Sequence, residues 1–374
     1  MYWTLCLTHD CNLRCGYCYT GRKRVGNMTW EVARRAMDMA LLATLEEGNR
    51  LDREPELILG FFGGEPLLEW DLLRRCDAYV RECSVQTGTR LRGALTTNMT
   101  LLDENKLAWL QDKHYDLGLS LDGTKEMHEV WRRYADGTSS YDGCLAALER
   151  VASFPNLHPS VILVVDPKLV GHLNESVRFL SGICDYPLVL NTNFGASWDQ
   201  SAQEKFSSEM QKTGRFYLEC FREGRDLSLN LLDAKIKSHI KGGYTFGDYC
   251  GMGDQEVAVS ASGHLYPCAR LVGNDDRSDL RLGSVFSGFD VARRLSLRER
   301  QGKNVLLCQS CPIQDRCVHW CGCLNFESTG HIDQVSPFLC FHEQTVLNIA
   351  DEVAGTLWVE RNPVFLKKFY GSVV

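Results

Sequence analysis

Six short apolar runs, each followed by a stretch of helical periodicity, set the strongest limit on what this 374-residue chain can fold into. The runs are Tyr2 to Leu7, Leu57 to Phe62, Arg92 to Thr97, Leu117 to Leu121, Ser160 to Val165 and Pro187 to Asn191. Between them, apolar residues recur at helical intervals over roughly 29–47, 67–86, 103–113, 142–153 and 168–183, with Thr29 placed to cap the first helix. Strands and helices alternating in this order imply a parallel sheet with right-handed crossovers. Such a sheet is either doubly wound or curled into a partial barrel, and in both cases the ligand site lies beyond the carboxyl ends of the strands.

Distinctive polar residues stand at each of those ends. Cys11, Cys15 and Cys18 follow the first strand, and Gly63-Gly64-Glu65-Pro66 follows the second. Thr97-Asn98 ends the third, Ser120-Leu121-Asp122-Gly123 the fourth, Asp166 the fifth and Asn191-Thr192-Asn193 the sixth. Any one of these is also an ordinary turn signal; their joint placement on one rim is what favours a site. His9, Asp10 and His114 read as structural or exposed.

The chain holds 17 cysteines, dense at 11–18 and again at 308–323. There is no basic segment followed by an apolar run at the start and no apolar stretch long enough to span a bilayer, so the expectation is a cytoplasmic protein with reduced thiols. Ligation is then the better use for them. The net charge of −7, without a dense basic run, argues against a nucleic-acid partner. Three thiolates spaced Cys-x3-Cys-x2-Cys can wrap one corner of an iron–sulfur cube and leave its fourth iron open to a reactant. A zinc site, which requires four closed ligands, or three buried thiols are the alternatives.

Cys11, Cys15 and Cys18 with Gly63-Gly64-Glu65 resemble the radical SAM enzymes. The resemblance implies a partial (β/α)6 TIM-like barrel of α/β class, with a 4Fe-4S cluster held by the three cysteines and S-adenosylmethionine on its open iron. Glu65, with Gly63 and Gly64, would hold the ammonium group of S-adenosylmethionine, and Tyr17 occupies the aromatic position near the adenine. Ser120, Asp122 and Arg132 resemble the family's Ser-Leu-Asp-Gly segment and the arginine after it; with Asn191 they would contribute to cofactor or substrate binding.

A second cysteine ladder, Cys250, Cys268, Cys308, Cys311, Cys317, Cys321 and Cys340, is similar to the SPASM domain, a cysteine-rich module with twin auxiliary clusters. The resemblance assigns Cys308, Cys311, Cys317 and Cys340 to one auxiliary 4Fe-4S cluster, and Cys250, Cys268 and Cys321 to the other, making three clusters in all. The second set is one ligand short, because Tyr244 stands near where fuller relatives have a cysteine. Asp248, Cys220, Cys323, water or a substrate thiolate would each fill the vacancy. A zinc ribbon built from Cys308, Cys311, Cys317 and Cys321 is a further alternative. Of the remaining thiols, Cys6, Cys76, Cys83, Cys144, Cys184 and Cys220 read mostly as small buried hydrophobes, while Cys323, two residues past a ladder cysteine, stands out.

The expected domains are a partial barrel over 1–199, a helical connector over 200–243, an auxiliary-cluster domain over 244–342, and a C-terminal helix, Glu343 to Leu357, with its tail over 343–374. Sulfatase-maturating relatives carry an aspartate close after the second ladder cysteine; here the sequence is Cys268-Ala269-Arg270-Leu271-Val272-Gly273, with no carboxylate. That departure points to maturases of ribosomally made peptides, which install thioether or carbon–carbon crosslinks. The implied partners are a precursor peptide, an electron donor such as flavodoxin or ferredoxin and, since Cys11 lies so near the start, a separate leader-peptide-binding protein. The alternatives are a formylglycine-forming or small-molecule dehydrogenase, and a non-catalytic iron–sulfur electron-transfer or sensor protein.

Overall fold

A computed structural model describes residues 1–300 and 308–371, which divide into two compact units. The first comprises Met1–Ser120, Glu129–Pro159 and Cys250–Glu299. Its centre is a parallel sheet of β1 (Tyr2–Thr8), β2 (Glu56–Gly63), β3 (Arg90–Thr97) and β4 (Asp116–Ser120), hydrogen-bonded in that order. Helices α1 (Trp30–Leu51), α2 (Trp70–Thr87) and α3 (Glu104–Asp112) make the crossovers, and α4 (Lys125–Trp131), α5 (Tyr141–Val151) and α9 (Val291–Arg300) also have residues in this unit. Thr29 caps α1 by accepting from the Val32 N–H, and Asp103 caps α3 by accepting from the Lys106 N–H, so each helix starts on a side chain that satisfies an otherwise unpaired donor.

β1 is buried along nearly its whole length, as expected for a strand covered on both faces. Its second edge is occupied by a strand from far along the chain. Within the first unit, β7 (Glu256–Val259) runs parallel to β1, pairing Tyr2 with Glu256 and Leu5 with Val259. The antiparallel strands β8 (His264–Tyr266), β9 (Gly283–Ser284) and β10 (Gly288–Phe289) extend the sheet beyond it. The cysteine-rich segment that begins at Cys250 therefore shares a sheet with the first strand of the chain.

The second unit comprises Leu121–His128, Ser160–Tyr249 and Arg300–Val374. Most of β5 (His158–Val165) lies in it, paired in parallel with β6 (Leu188–Thr192). The expected helix over 168–183 is a short 3-10 turn, Val170–His172, followed by α6 (Leu173–Ile183), and the helical region after 200 is two helices, α7 (Gln200–Arg222) and α8 (Asn230–Lys241). α10 (Gly322–Thr329) follows Cys321, and α11 (Pro337–Val359), which carries Cys340, packs on α7 and α8. α11 begins six residues before the expected Glu343, because Ser336 accepts from the Leu339 N–H and Pro337 supplies a first residue needing no donor partner. No described helix is long and apolar enough to cross a membrane.

Candidate active site

In the first unit, the loop after β1 carries Cys11, Cys15 and Cys18 and is laced to its surroundings through the backbone. The Arg14 N–H donates to the Arg133 carbonyl at 2.8 Å and the Gly16 N–H to the Trp131 carbonyl at 3.3 Å. The Cys11 sulfur accepts from the Leu13 N–H at 3.4 Å and the Asn98 side-chain amide at 3.6 Å. At Cys18 burial opposes the thiolate, but the Lys23 ammonium, 3.0 Å away, and Thr20 outweigh it and lower the thiol pKa. Burial raises that of Cys11, against the Leu13 N–H. The cation beside Cys18 favours its thiolate, the form in which cysteine binds metal, and the donors on the Cys11 sulfur offset part of the cost of its burial, so the donor set of this loop fits an iron–sulfur cluster.

The glycines of Gly63-Gly64-Glu65 serve an approach between chain segments. A Cβ on Gly64 would lie 1.8 Å from the Asp10 carbonyl oxygen, and Gly63 (φ +128°) sits where a Cβ would be 2.4 Å from that of Thr8. Two backbone hydrogen bonds of 2.8 Å, Gly64 N–H to Thr8 and Glu65 N–H to Asp10, tie this segment to the chain entering the cysteine loop. Position 64 must therefore lack a side chain for the two segments to meet.

Glu65, 1% exposed, accepts from the Thr97 hydroxyl at 2.7 Å, the Asn98 N–H at 2.8 Å and the Leu67 N–H at 3.1 Å. Burial raises its pKa to about 7 against those donors and the more distant Arg132. Among the described residues no Lys, Arg or His reaches it at ion-pair distance. A buried carboxylate with neutral donors at its back is a site made for a cation. Arg132, 6% exposed, lies with its guanidinium 5.6 Å from the Tyr17 ring centroid, and Ser120 is buried at the end of β4. The first unit thus gathers Tyr17, Gly63, Gly64, Glu65, Ser120 and Arg132 with the three cysteines.

Asp122 and Asn191 fall in the second unit. Asp122 is 1% exposed and accepts from the Val164 N–H of β5 at 3.0 Å, and Asn191 is on β6. Asp166 accepts from the Asn193 side chain at 2.9 Å.

The ladder cysteines are divided as well: Cys250 and Cys268 lie in the first unit, and Cys308, Cys311, Cys317, Cys321 and Cys340 in the second. Among the described residues no three His, Cys, Asp or Glu side chains converge at single-ion distance. The Cys321 and Cys323 sulfurs are 3.2 Å apart. Asp248 accepts from Lys241 at 2.7 Å and from the Thr245 N–H and hydroxyl at 2.8 Å, and Arg225 donates to the Cys220 sulfur at 3.0 Å. Tyr244 has its hydroxyl 3.3 Å from the Lys235 ammonium.

Two residues that carried no sequence signal stand beside the ladder. Lys235 and Glu343, 3% and 2% exposed, form a 2.6 Å ion pair; Lys235 also donates to the Arg316 carbonyl, and Glu343 accepts from the Val318 N–H, both at 2.8 Å. In the first unit burial raises the pKa of Glu256, six residues after Cys250, against the opposing effect of the Cys268 and Cys250 thiols and the Arg270 guanidinium. Glu256 borders a cavity of about 270 Å³ whose lining includes Tyr19, Phe62, Thr96, Cys268 and Arg270.

Residues 5–180 match the model of the radical SAM superfamily. The chain carries a radical SAM domain. This family uses S-adenosylmethionine and a 4Fe-4S cluster, and the protein is an enzyme. The chain is 24% identical over 277 residues to the cysteine-type anaerobic sulfatase-maturating enzyme of Clostridium perfringens, covering 69% of this chain and 71% of that one. Its fold matches that of native anSMEcpe with bound AdoMet at a TM-score of 0.78 and 19% identity, over 96% of this chain and 100% of the other. Streptococcus suis SuiB bound to its precursor peptide SuiA matches at 0.59 and 13% identity, over 91% and 75%. The α/β class and the radical SAM partial barrel are thereby established, with a cysteine-rich C-terminal region.

Proposed function

We propose that this enzyme is a radical SAM maturase of a ribosomally made peptide, introducing an oxidative crosslink. The observation that carries the cofactor half of this reading is Glu65, a buried carboxylate supplied with neutral donors and, among the described residues, with no cation at ion-pair distance, on a segment hydrogen-bonded to the cysteine loop. Cys11, Cys15 and Cys18 would hold the 4Fe-4S cluster, Glu65 the ammonium of S-adenosylmethionine, and Arg132 its carboxylate, with Tyr17 flanking the adenine. Cys308, Cys311, Cys317 and Cys340 would hold an auxiliary cluster, and Cys250 and Cys268 are two donors to a second. When bound and reduced, the first cluster supplies the electron that cleaves S-adenosylmethionine to a 5′-deoxyadenosyl radical, which takes a hydrogen atom from the peptide. Around it, Glu65 and Arg132 would fix the two ends of the methionyl group and so orient the cofactor.

The peptide half is supported by the relatives, since SuiB binds a precursor peptide. A second reading, conversion of a Ser or Cys to formylglycine, is favoured by the anaerobic sulfatase-maturating enzymes among the sequence relatives. Reduced, cluster-loaded protein should form 5′-deoxyadenosine, and Cys15→Ala should form none; equal absence from both would count against radical generation at this cluster. Mass spectrometry then separates the two readings. A precursor peptide that loses two hydrogens without an aldehyde supports crosslinking, whereas a product that reacts with a hydrazide supports formylglycine.

A further inference from the structure

The turn that leaves the cysteine loop of the first unit, residues 21–26, is fastened at both ends. At its far end the His9 N–H donates to the Gly26 carbonyl at 3.1 Å and the Met28 N–H to the Leu7 carbonyl at 2.7 Å, which ties it to β1. At its near end the Asn274 side-chain oxygen accepts from the Arg22 N–H at 2.7 Å, and the Asn274 carbonyl accepts from the Arg24 guanidinium at 2.9 Å. Gly21 makes that clasp possible: its φ is +75°, and a Cβ there would lie 2.2 Å from the Asn274 side-chain oxygen. Asn274 is braced in turn through its neighbour. Asp275 accepts from the Tyr266 hydroxyl at 2.9 Å and from the Ser262 hydroxyl, and its carbonyl accepts from Arg281 at 2.7 Å.

Between these fastenings stands Lys23. Its ammonium is 3.0 Å from the Cys18 sulfur and also donates to the Thr20 hydroxyl, which lies 3.2 Å from the same sulfur. Arg14, within the cysteine loop, is turned elsewhere, its guanidinium donating to the Cys11 and Leu13 carbonyls. A cysteine sulfur bound to iron keeps much of its negative charge, and a cluster gains one more negative charge when it takes up an electron. An ammonium held at hydrogen-bond distance from that sulfur therefore stabilises the reduced cluster more than the oxidised one, since hydrogen bonds to sulfur and net charge both set a cluster's potential.

We propose that Lys23 raises the reduction potential of the first cluster through the Cys18 sulfur, and that Asn274 is the positioning residue that holds Lys23 there. The inference rests on the ligation of that cluster by Cys11, Cys15 and Cys18. Its consequence is that a donor of more modest reducing power suffices to load the cluster.

The test is an anaerobic redox titration of the reconstituted full-length chain, without S-adenosylmethionine, followed by EPR. The first cluster's signal is the one lost when Cys11, Cys15 and Cys18 are all replaced by Ala. Lys23→Met should lower the ratio of reduced to oxidised first cluster about tenfold at the wild-type midpoint, a shift of about 59 mV to lower potential for a one-electron couple. Asn274→Ala, which changes neither the cation nor a cysteine, should move the midpoint the same way by less. An unmoved midpoint in Lys23→Met at full iron content overturns the proposal. An unmoved midpoint in Asn274→Ala removes the clasp from it and, where Lys23→Met takes up too little iron to titrate, overturns it outright. If replacing the three cysteines removes no signal, the ligation itself has failed and the proposal falls with it, a result distinct from an unmoved midpoint.

Discussion

Glu65 in the first unit and Glu343 in the second are buried alike, 1% and 2% exposed, and both stand near cysteines of a proposed cluster site. Burial pushes both carboxyls upward, yet Glu65 rises to about 7 and Glu343 is held down to about 2. The difference is the cation. Glu343 has the Lys235 ammonium at 2.6 Å with the His342 ring beside it, whereas Glu65 has a hydroxyl and two backbone N–H groups. Glu343 is half of a finished structural pair, and Glu65 is half of a pair whose other member must arrive. Two residues of the same type and burial thus separate a support from a binding site.

The largest effect should come from breaking the finished pair. Lys235→Met leaves Glu343 charged and buried, which costs about 3–5 kcal/mol, and it also strips a donor from the Arg316 carbonyl. Lys235→Met combined with Glu343→Gln should recover a good part of that loss, because no uncompensated charge remains. Denaturant unfolding of the two variants decides it. If the double variant is as unstable as the single one, packing rather than charge is what the pair provides.

The unfinished pair should respond in binding. Glu65→Gln removes the anion that the ammonium of S-adenosylmethionine would meet, a charge-assisted contact of about 1.5–3 kcal/mol, or roughly 10- to 150-fold in affinity. Equilibrium dialysis on cluster-loaded protein measures it. Unchanged affinity would remove Glu65 from the site, whatever its motif.

How far the sequence disclosed these two sites follows from their geometry. Glu65 was legible because its environment is local: it follows a strand, sits on two glycines and faces a cysteine triplet, all within patterns that a linear reading detects. The strands behind it were legible too, since Tyr2 to Leu7 and Leu57 to Phe62 are continuous apolar runs of a buried parallel sheet. The Lys235–Glu343 pair joins residues 108 positions apart on different helices, and nothing in either stretch marks the partner. Strand β7 escaped for another reason. At four residues, Glu256–Val259 is too short for a period to show, and its pairing with β1 spans most of the chain. Glu256 was hidden with it. The start of α11 was written locally in Ser336-Pro337, but apolar periodicity places a helix body better than its cap.

The effect that most sharpens the contrast is on pH dependence, where the two glutamates should act with opposite sign. Glu65 has a folded-state pKa of about 7 against an ordinary 4.5, so between those values the native state holds more protons than the unfolded chain. Its contribution therefore makes the protein less stable as pH rises from 4.5 towards 7. Glu343, at about 2 in the folded state, contributes stability that is full above 4.5 and declines as pH falls from there towards 2. Denaturant midpoints of cluster-loaded wild type, Glu65→Gln and Glu343→Gln between pH 4.5 and 8 resolve the first slope, and points just below 4.5 catch the onset of the second. Glu65→Gln should flatten the neutral-range slope and Glu343→Gln should leave it in place. Saturating S-adenosylmethionine should flatten it in the wild type as well, because an ammonium on Glu65 favours the ionised carboxylate and brings its pKa down. If the ligand leaves the slope unchanged while still binding, the cation is docking somewhere other than Glu65, and the likeness between an occupied and a waiting carboxylate fails.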